Sequence, residues 1–173
     1  MFLYLLQFLH LTKGPYLEHP QCIHALVVAL AAVALNGKIY AVGGIGIENG
    51  GQTTVEVYDP VTDTWTSKAP LNVGRAGLAL EVQDGLIYAI GGWKGYQPTW
   101  EIFNEVEVYN PATDTWTLLD ESDWMPTPRG RLVSELVDDT IYTMGGFQVG
   151  FGLDTNEAMI VNTLSTAHSS PWS

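Results

Sequence analysis

Cysteine is nearly missing from this chain: Cys22 stands alone, so no disulfide can form within it and a disulfide-stapled mini-fold is excluded. The redox compartment stays open. Histidine is scarce as well. His10, His19, His24 and His168 include no pair at i, i+2 or i+4, and no Cys/His cluster accompanies them. The ligand spacing of a zinc or copper site is therefore lacking, and neither a metal nor another cofactor is expected. Basic residues are the third shortage: seven Lys+Arg face nineteen Asp+Glu, a formal charge of −12 at pH 7. A chain so balanced repels phosphate backbones and has no attraction for anionic membranes, so no nucleic acid is expected as a partner. No apolar run is long enough to span a bilayer, which takes about 20 residues. Residues 1–11 (MFLYLLQFLHL) have no basic segment before them, and Lys13 follows them. They can be read as the core of a secretory leader, as part of an apolar extension over 1–23, or as a start-site artefact. The compartment is otherwise unspecified. Neither a Gly-x-Ser-x-Gly elbow nor a legible Cys–His pairing is present, so no catalytic constellation is expected and the chain is read as a non-enzyme.

Repetition is what the chain does have. The segment Gly85-Leu86-Ile87-Tyr88-Ala89-Ile90-Gly91-Gly92 echoes Gly37-Lys38-Ile39-Tyr40-Ala41-Val42-Gly43-Gly44, and Ile141-Tyr142-Thr143-Met144-Gly145-Gly146 is a third copy. The Gly-Gly pairs begin at 43, 91 and 145, which sets spacings of 48 and 54 residues. After the first two pairs come VEVYDPVTDTW (55–65) and VEVYNPATDTW (106–116), alike at nine of eleven positions. A fixed period of this size is the mark of a repeat architecture whose units bury their faces against one another. Eighteen Gly, eight Tyr and six Trp suit short strands joined by turns that need positive φ.

The Gly-Gly pairs, the Tyr before them, the Tyr-Asp/Asn-Pro turn and the Trp together resemble the kelch-repeat family of β-propellers over about residues 24–160. The resemblance implies an all-β fold: an incomplete kelch-type β-propeller built of four-stranded antiparallel blades. Blade one is expected over 24–66, blade two over 71–117, and a partial blade three over 125–161, with a polar tail at 162–173.

Within each blade, residues 27–35 match 75–83 as the first, innermost strand, and Asn36-Gly37 and Asp84-Gly85 predict type I′ hairpins. Lys38–Val42 is the second strand, 45–54 a loop, 55–58 the third strand and 64–66 the fourth. Blade two has a longer second loop, 93–105. Blade three keeps its first two strands, and 158–161 stands where 106–109 stood. No Asp-Thr-Trp follows. Closed propellers use about four to eight blades. Three resolutions follow: a fragment of a longer product, self-association of copies to complete the ring, or an open stack.

Residues that recur at matched positions, such as Tyr40, Tyr88, Asp63, Asp114, Trp65 and Trp116, are read as packing residues. Function is expected where blades differ. One such set is Arg75, Arg129 and Arg131, near the entrance of the first strand. In kelch propellers that bind acidic peptides, an Arg seven residues before the hairpin turn points into the channel mouth. The resemblance places Ala29, Gly77 and Arg131 there. The other set is Trp93, Tyr96 and Trp100, with Phe147 and Phe151 in the matching loop, aromatics able to anchor a protein or stack on a sugar. Carboxylates such as Glu105 and Glu107 are read as solvated. The expected function is a module binding a protein or peptide through its loops. The alternative is part of a carbohydrate-binding or carbohydrate-active propeller, similar to the galactose oxidase-like or sialic-acid-epimerising kelch proteins, although the histidines of a galactose oxidase copper site are absent.

Overall fold

The computed structural model describes residues 28–46, 50–95, 99–148, 151–152 and 154–160. The N-terminal extension (1–23), the start of blade one near His24, Tyr96 and the tail at 162–173 lie outside them.

Seventeen strands are described. In chain order they are β1 (Ala31–Leu35), β2 (Lys38–Val42), β3 (Ile45–Gly46), β4 (Gly50–Gly51), β5 (Val55–Asp59) and β6 (Thr64–Ser67). Then come β7 (Ala79–Gln83), β8 (Leu86–Ile90), β9 (Trp93–Lys94), β10 (Glu101–Ile102), β11 (Val106–Asn110) and β12 (Thr115–Leu118). A short 3-10 turn (Glu121–Asp123) precedes β13 (Val133–Val137), β14 (Thr140–Met144), β15 (Phe147–Gln148), β16 (Phe151–Gly152) and β17 (Asn156–Ile160). Three antiparallel sheets result, ordered β1-β2-β5-β6, β7-β8-β11-β12 and β13-β14-β17. The chain is an incomplete β-propeller of the expected kind: two four-stranded blades and a third of three described strands.

The turns explain the repeated residues. Asn36-Gly37 and Asp84-Gly85 hold φ of 53° and 75°, and 51° and 78°, the paired positive values of a type I′ hairpin. At the other end of the blade, Asp59 Oδ1 accepts the Val61 N–H and Asn110 Oδ1 accepts the Ala112 N–H. Four residues on, Asp63 and Asp114 sit at φ 55° and 53°, and each accepts the hydroxyl of the preceding tyrosine, Tyr58 or Tyr109. The tyrosines in turn lie against Trp65 and Trp116, with ring centroids 5.2 and 5.0 Å apart. In blade two this turn also clasps the linker from blade one: Asp114 accepts the Ala69 N–H and Trp116 Nε1 donates to the Ala69 carbonyl.

Alternation along each strand divides its side chains between two neighbouring blades. In β8, Ile87 and Ala89 join the core between blades one and two, with Leu35, Tyr40, Val42, Leu78 and Tyr109. Tyr88 and Ile90 join the core between blades two and three, with Val106, Met125, Leu132 and Ile141. The same positions lose their cover at the two ends of the stack. Ile39, matched to Ile87, is 42% exposed, whereas Ile87 is 0% exposed. Tyr142, matched to the 7%-exposed Tyr88, is 40% exposed.

Two expectations need correction. The first strands are shorter than 27–35 and 75–83: β1 and β7 begin at Ala31 and Ala79, and the residues before them make only single bridges, Val28 to Ile45 and Ala76 to Trp93. Positive φ at Ala29 (57°) and Gly77 (56°) breaks the extension between bridge and strand. The segments after the Gly-Gly pairs are not plain loops, since β3-β4, β9-β10 and β15-β16 are small hairpins.

Candidate functional site

Strands β2, β8 and β14 all run toward their Gly-Gly pairs, so these pairs gather at one end of the wedge and the hairpin turns at the other. At the Gly-Gly end the blades are joined by backbone. Gly44 N–H donates to Arg75 O at 2.9 Å and Gly92 N–H to Arg129 O at 2.8 Å. Such close approach excludes a side chain: a Cβ on Gly91, at φ 59°, would lie 2.7 Å from Arg129 O. A second file of bonds runs across the inner edge. Gly77 N–H donates to Ala29 O and Arg131 N–H to Gly77 O, both at 2.8 Å.

Arg75 and Arg129 are not surface ligand contacts. Both are fully buried, and their guanidinium groups hold the backbone together. Arg75 donates to Gly91 O and Glu105 O at 3.0 Å each and to Val73 O at 3.2 Å, and it pairs with Glu107 at 2.8 Å. Arg129 repeats this in blade three, donating to Gly145 O and Thr155 O and pairing with Glu157 at 3.0 Å. Glu107 is likewise buried rather than solvated. Its second oxygen accepts the Asn72 N–H and Nδ2–H, while Oε1 also accepts the Val73 N–H. Burial pulls the Arg75 guanidinium below its ordinary value, while Glu107 and then Glu105 act in the opposite direction. An arginine remains charged under such opposition. These pairs tie each inter-blade linker to the blade it enters, which explains why Glu107 does not face water.

Arg131 behaves otherwise. It is exposed, and its backbone has φ 53°, the left-handed region that favours glycine and that its counterpart Gly77 occupies at 56°. Its guanidinium carbon stands 5.9 Å from the Trp93 ring centroid and 5.7 Å from that of Phe147. Among the described residues it pairs with no carboxylate. Glu81 accepts the Ser134 hydroxyl at 2.6 Å instead. Burial pushes the Glu81 carboxyl up, against the Ser134 donation and helped by Glu135.

The aromatic candidates divide in the same way. Trp93 is 5% exposed, and its indole Nε1 is buried with no acceptor among the described residues. Half-buried Trp100 covers it at 5.5 Å between centroids and meets Phe147 edge-on at 5.2 Å. Phe103, buried at 2% exposure, lies between Arg75 at 5.2 Å and Lys94 at 5.3 Å. The structure thus brings Arg131, Trp93, Trp100 and Phe147 into one cluster from blades two and three, and takes Arg75 and Arg129 out of it. Sequence reasoning named these residues but not their union. A signal was available: the first position after each Gly-Gly pair (Ile45, Trp93, Phe147) and position seven before each hairpin turn (Ala29, Gly77, Arg131) both vary from blade to blade. The bridges of the fold set these two positions side by side.

Among the described residues no group of three or more His, Cys, Asp or Glu could hold a metal ion. The cluster offers a cation set over two aromatic rings.

Comparison with known proteins places this arrangement. A family model described as the Kelch motif matches residues 28–72 and 74–121. Kelch-like protein terF of Aspergillus terreus is 36% identical over 136 residues, 75% of this chain and 28% of that protein. Kelch-like ECH-associated protein 1B of Danio rerio is 34% identical over 120 residues, 69% of this chain and 20% of that protein. Among solved structures, that of YjhT superposes with a TM-score of 0.58 at 26% identity, covering 69% of this chain and 34% of the other. The chain therefore spans under a third of the length of these two curated relatives. With the motif matched over more than half of its residues, the chain belongs to the kelch-repeat family.

Proposed function

We infer that the chain is a binding module that receives an acidic segment of a protein partner at its Gly-Gly end, with Arg131 as the ionic anchor. One observation carries this reading. Arg131 occupies a backbone conformation that costs a non-glycine residue free energy, and its guanidinium, without a carboxylate partner among the described residues, lies over Trp93 and Phe147. The two rings restrict the cation, so less side-chain freedom is lost on binding. The planar group can grip a carboxylate with two parallel hydrogen bonds. Trp100 and Phe147 supply apolar surface beside it for the residues flanking that carboxylate.

A fluorescein-labelled library of Glu- and Asp-containing peptides, read by anisotropy, tests the reading. A hydrogen-bonded charge pair is worth about 1.5–3 kcal/mol, so Arg131→Ala should weaken the selected peptide about tenfold or more. Arg131→Lys should restore only part of it, and Arg131→Glu none. Equal binding by all four proteins would refute the inference.

The carbohydrate reading has less support. Stacking on a sugar needs an open aromatic face, and Trp93 is covered by Trp100 and Arg131. Among the described residues the half-buried Trp100 and Phe147 remain to serve it. Binding on a glycan array that is lost with Trp100→Ala but kept with Arg131→Ala would favour it.

A further inference from the structure

We propose that Gly130 is the positioning residue of the Arg131 cluster: its missing side chain is the space into which Trp93 and Phe147 close to seat the cation. The inference rests on the acidic-segment reading for its ligand, and on packing inside the seam between blades two and three for its geometry.

Each blade makes one antiparallel bridge beside its Gly-Gly pair: Val28 to Ile45, Ala76 to Trp93 and Gly130 to Phe147. Opposed residues in such a bridge share a face, so the bulk of one limits the room of the other. Val28 and Ala76 bring a side chain to that face, and Gly130 brings none. The vacated place is taken. A Cβ on the buried Gly130 would lie 2.8 Å from Phe147 Cε1 and 2.9 Å from Trp93 Cδ1. Phe147 arrives there from its own blade and Trp93 from the preceding one, so the two rings meet over this one backbone position.

The same rings carry the cation. Trp93 also lies against Gly77, where a Cβ would come 2.8 Å from its Nε1 and 3.2 Å from Arg131 Cγ. Its indole is thus wedged between two residues without side chains, with Trp100 covering it at 5.5 Å. The Arg131 guanidinium stands over Trp93 and Phe147 together, at 5.9 and 5.7 Å. A methyl group at position 130 would push these rings apart and leave the cation over neither. The seam between blades one and two shows the opposite choice, with Ala76 filling the place, Ile45 standing for the aromatic and Gly77 for the arginine. Gly130 differs from Gly77 in one useful respect. Gly77 has φ 56°, whereas Gly130 is not among the glycines with positive φ, so only the rings resist an alanine there.

Gly130→Ala, which gives blade three the side chain that blade two has at Ala76, is the test. Trp93 and Trp100 are close enough to couple their electronic transitions, so circular dichroism reads the cluster without any ligand, and Trp100→Phe identifies their signal. That signal should fall in Gly130→Ala while unfolding stays cooperative. The acidic peptide selected by anisotropy should bind about fivefold or more weakly. In an Arg131→Ala background the same substitution should cost the peptide nothing further, because Gly130 acts through the placement of that cation. A Trp93–Trp100 signal unchanged by Gly130→Ala, or an equal loss of peptide binding with and without Arg131, would overturn the proposal. Peptide binding indifferent to Arg131→Ala would instead refute the acidic-segment reading, and the dichroism would still decide whether Gly130 seats the rings. Should Gly130→Ala fail to fold, the comparison moves to the Phe147→Ala background, where one of the two crowded rings is gone. Adding Gly130→Ala should still lower the signal there, and an unchanged signal would overturn the proposal.

Discussion

Arg75 and Arg131 are both arginines at the entrance of a first strand, yet their surroundings give them opposite roles. Arg75 is enclosed with Glu107 and three carbonyls. Removing one member of a buried pair leaves the other uncompensated, at a cost of about 3–5 kcal/mol. Arg75→Ala should lower the urea midpoint by that equivalent. Lys94→Ala, which breaks the exposed pair with Glu101, should cost less than about 1 kcal/mol. Equal effects would mean that the buried pair does not hold the linker. At Arg131 the expectation reverses. Arg131→Gly relieves the positive φ but gives up two cation–π contacts and adds backbone freedom. These terms nearly cancel, so stability should shift by less than about 1 kcal/mol while acidic-peptide binding falls. Sequence could not separate the two residues. Their spacing from the hairpin turn differs, but burial depends on a Glu 32 positions away in the chain for Arg75 and on the absence of one for Arg131.

At the scale of the element, the turns and the Gly-Gly ends control the blade. Gly85 and Gly91 both have positive φ, at 78° and 59°, but only Gly91 meets neighbouring backbone where a Cβ would stand. Gly85→Ala should cost about 1 kcal/mol of backbone strain, and Gly91→Ala clearly more, because Arg129 O and Met125 must shift. Chemical denaturation of the two variants checks the order. The Asp114 turn adds a pH dependence. The Tyr109 hydroxyl, then the Ala69 N–H, hold the Asp114 carboxyl below its ordinary value. A depressed carboxylate contributes stability that is complete above its unfolded-state pKa and is lost as pH falls through the folded one. Asp114→Asn should therefore flatten the acid side of the stability profile between about pH 5 and pH 2. A profile parallel to that of the native chain would show that the Tyr109–Asp114–Ala69 clasp contributes nothing. Much of this level was legible beforehand. The Asn-Gly and Asp-Gly pairs specify their turns locally, and the second strand of blade one runs from Lys38 to Val42 as expected. The hairpins after the Gly-Gly pairs were not, because strands of two residues leave no periodicity to read. The shortened first strands were not either, since an alanine at φ 57° carries no local signal.

At the scale of the molecule, three sheets become one stack because each strand sends alternate side chains to different neighbours. The period in the sequence announced that stack, but not the cluster built across blades two and three. A repeat reports what its units share, and Arg131 with Trp93 is a contact between what they do not. The outer faces, where Ile39 and Tyr142 lose the cover that Ile87 and Tyr88 enjoy, follow from the same pattern read at its two ends.

The blades are joined edge to edge by backbone hydrogen bonds, and native-state hydrogen exchange of single backbone amides reads those bonds one by one. The Gly77, Gly92 and Arg131 amides, which cross from one blade to the next, should exchange as slowly as those of β8 and β14. Fast exchange at these three, with the strands still protected, would contradict it and leave three separate sheets on a string.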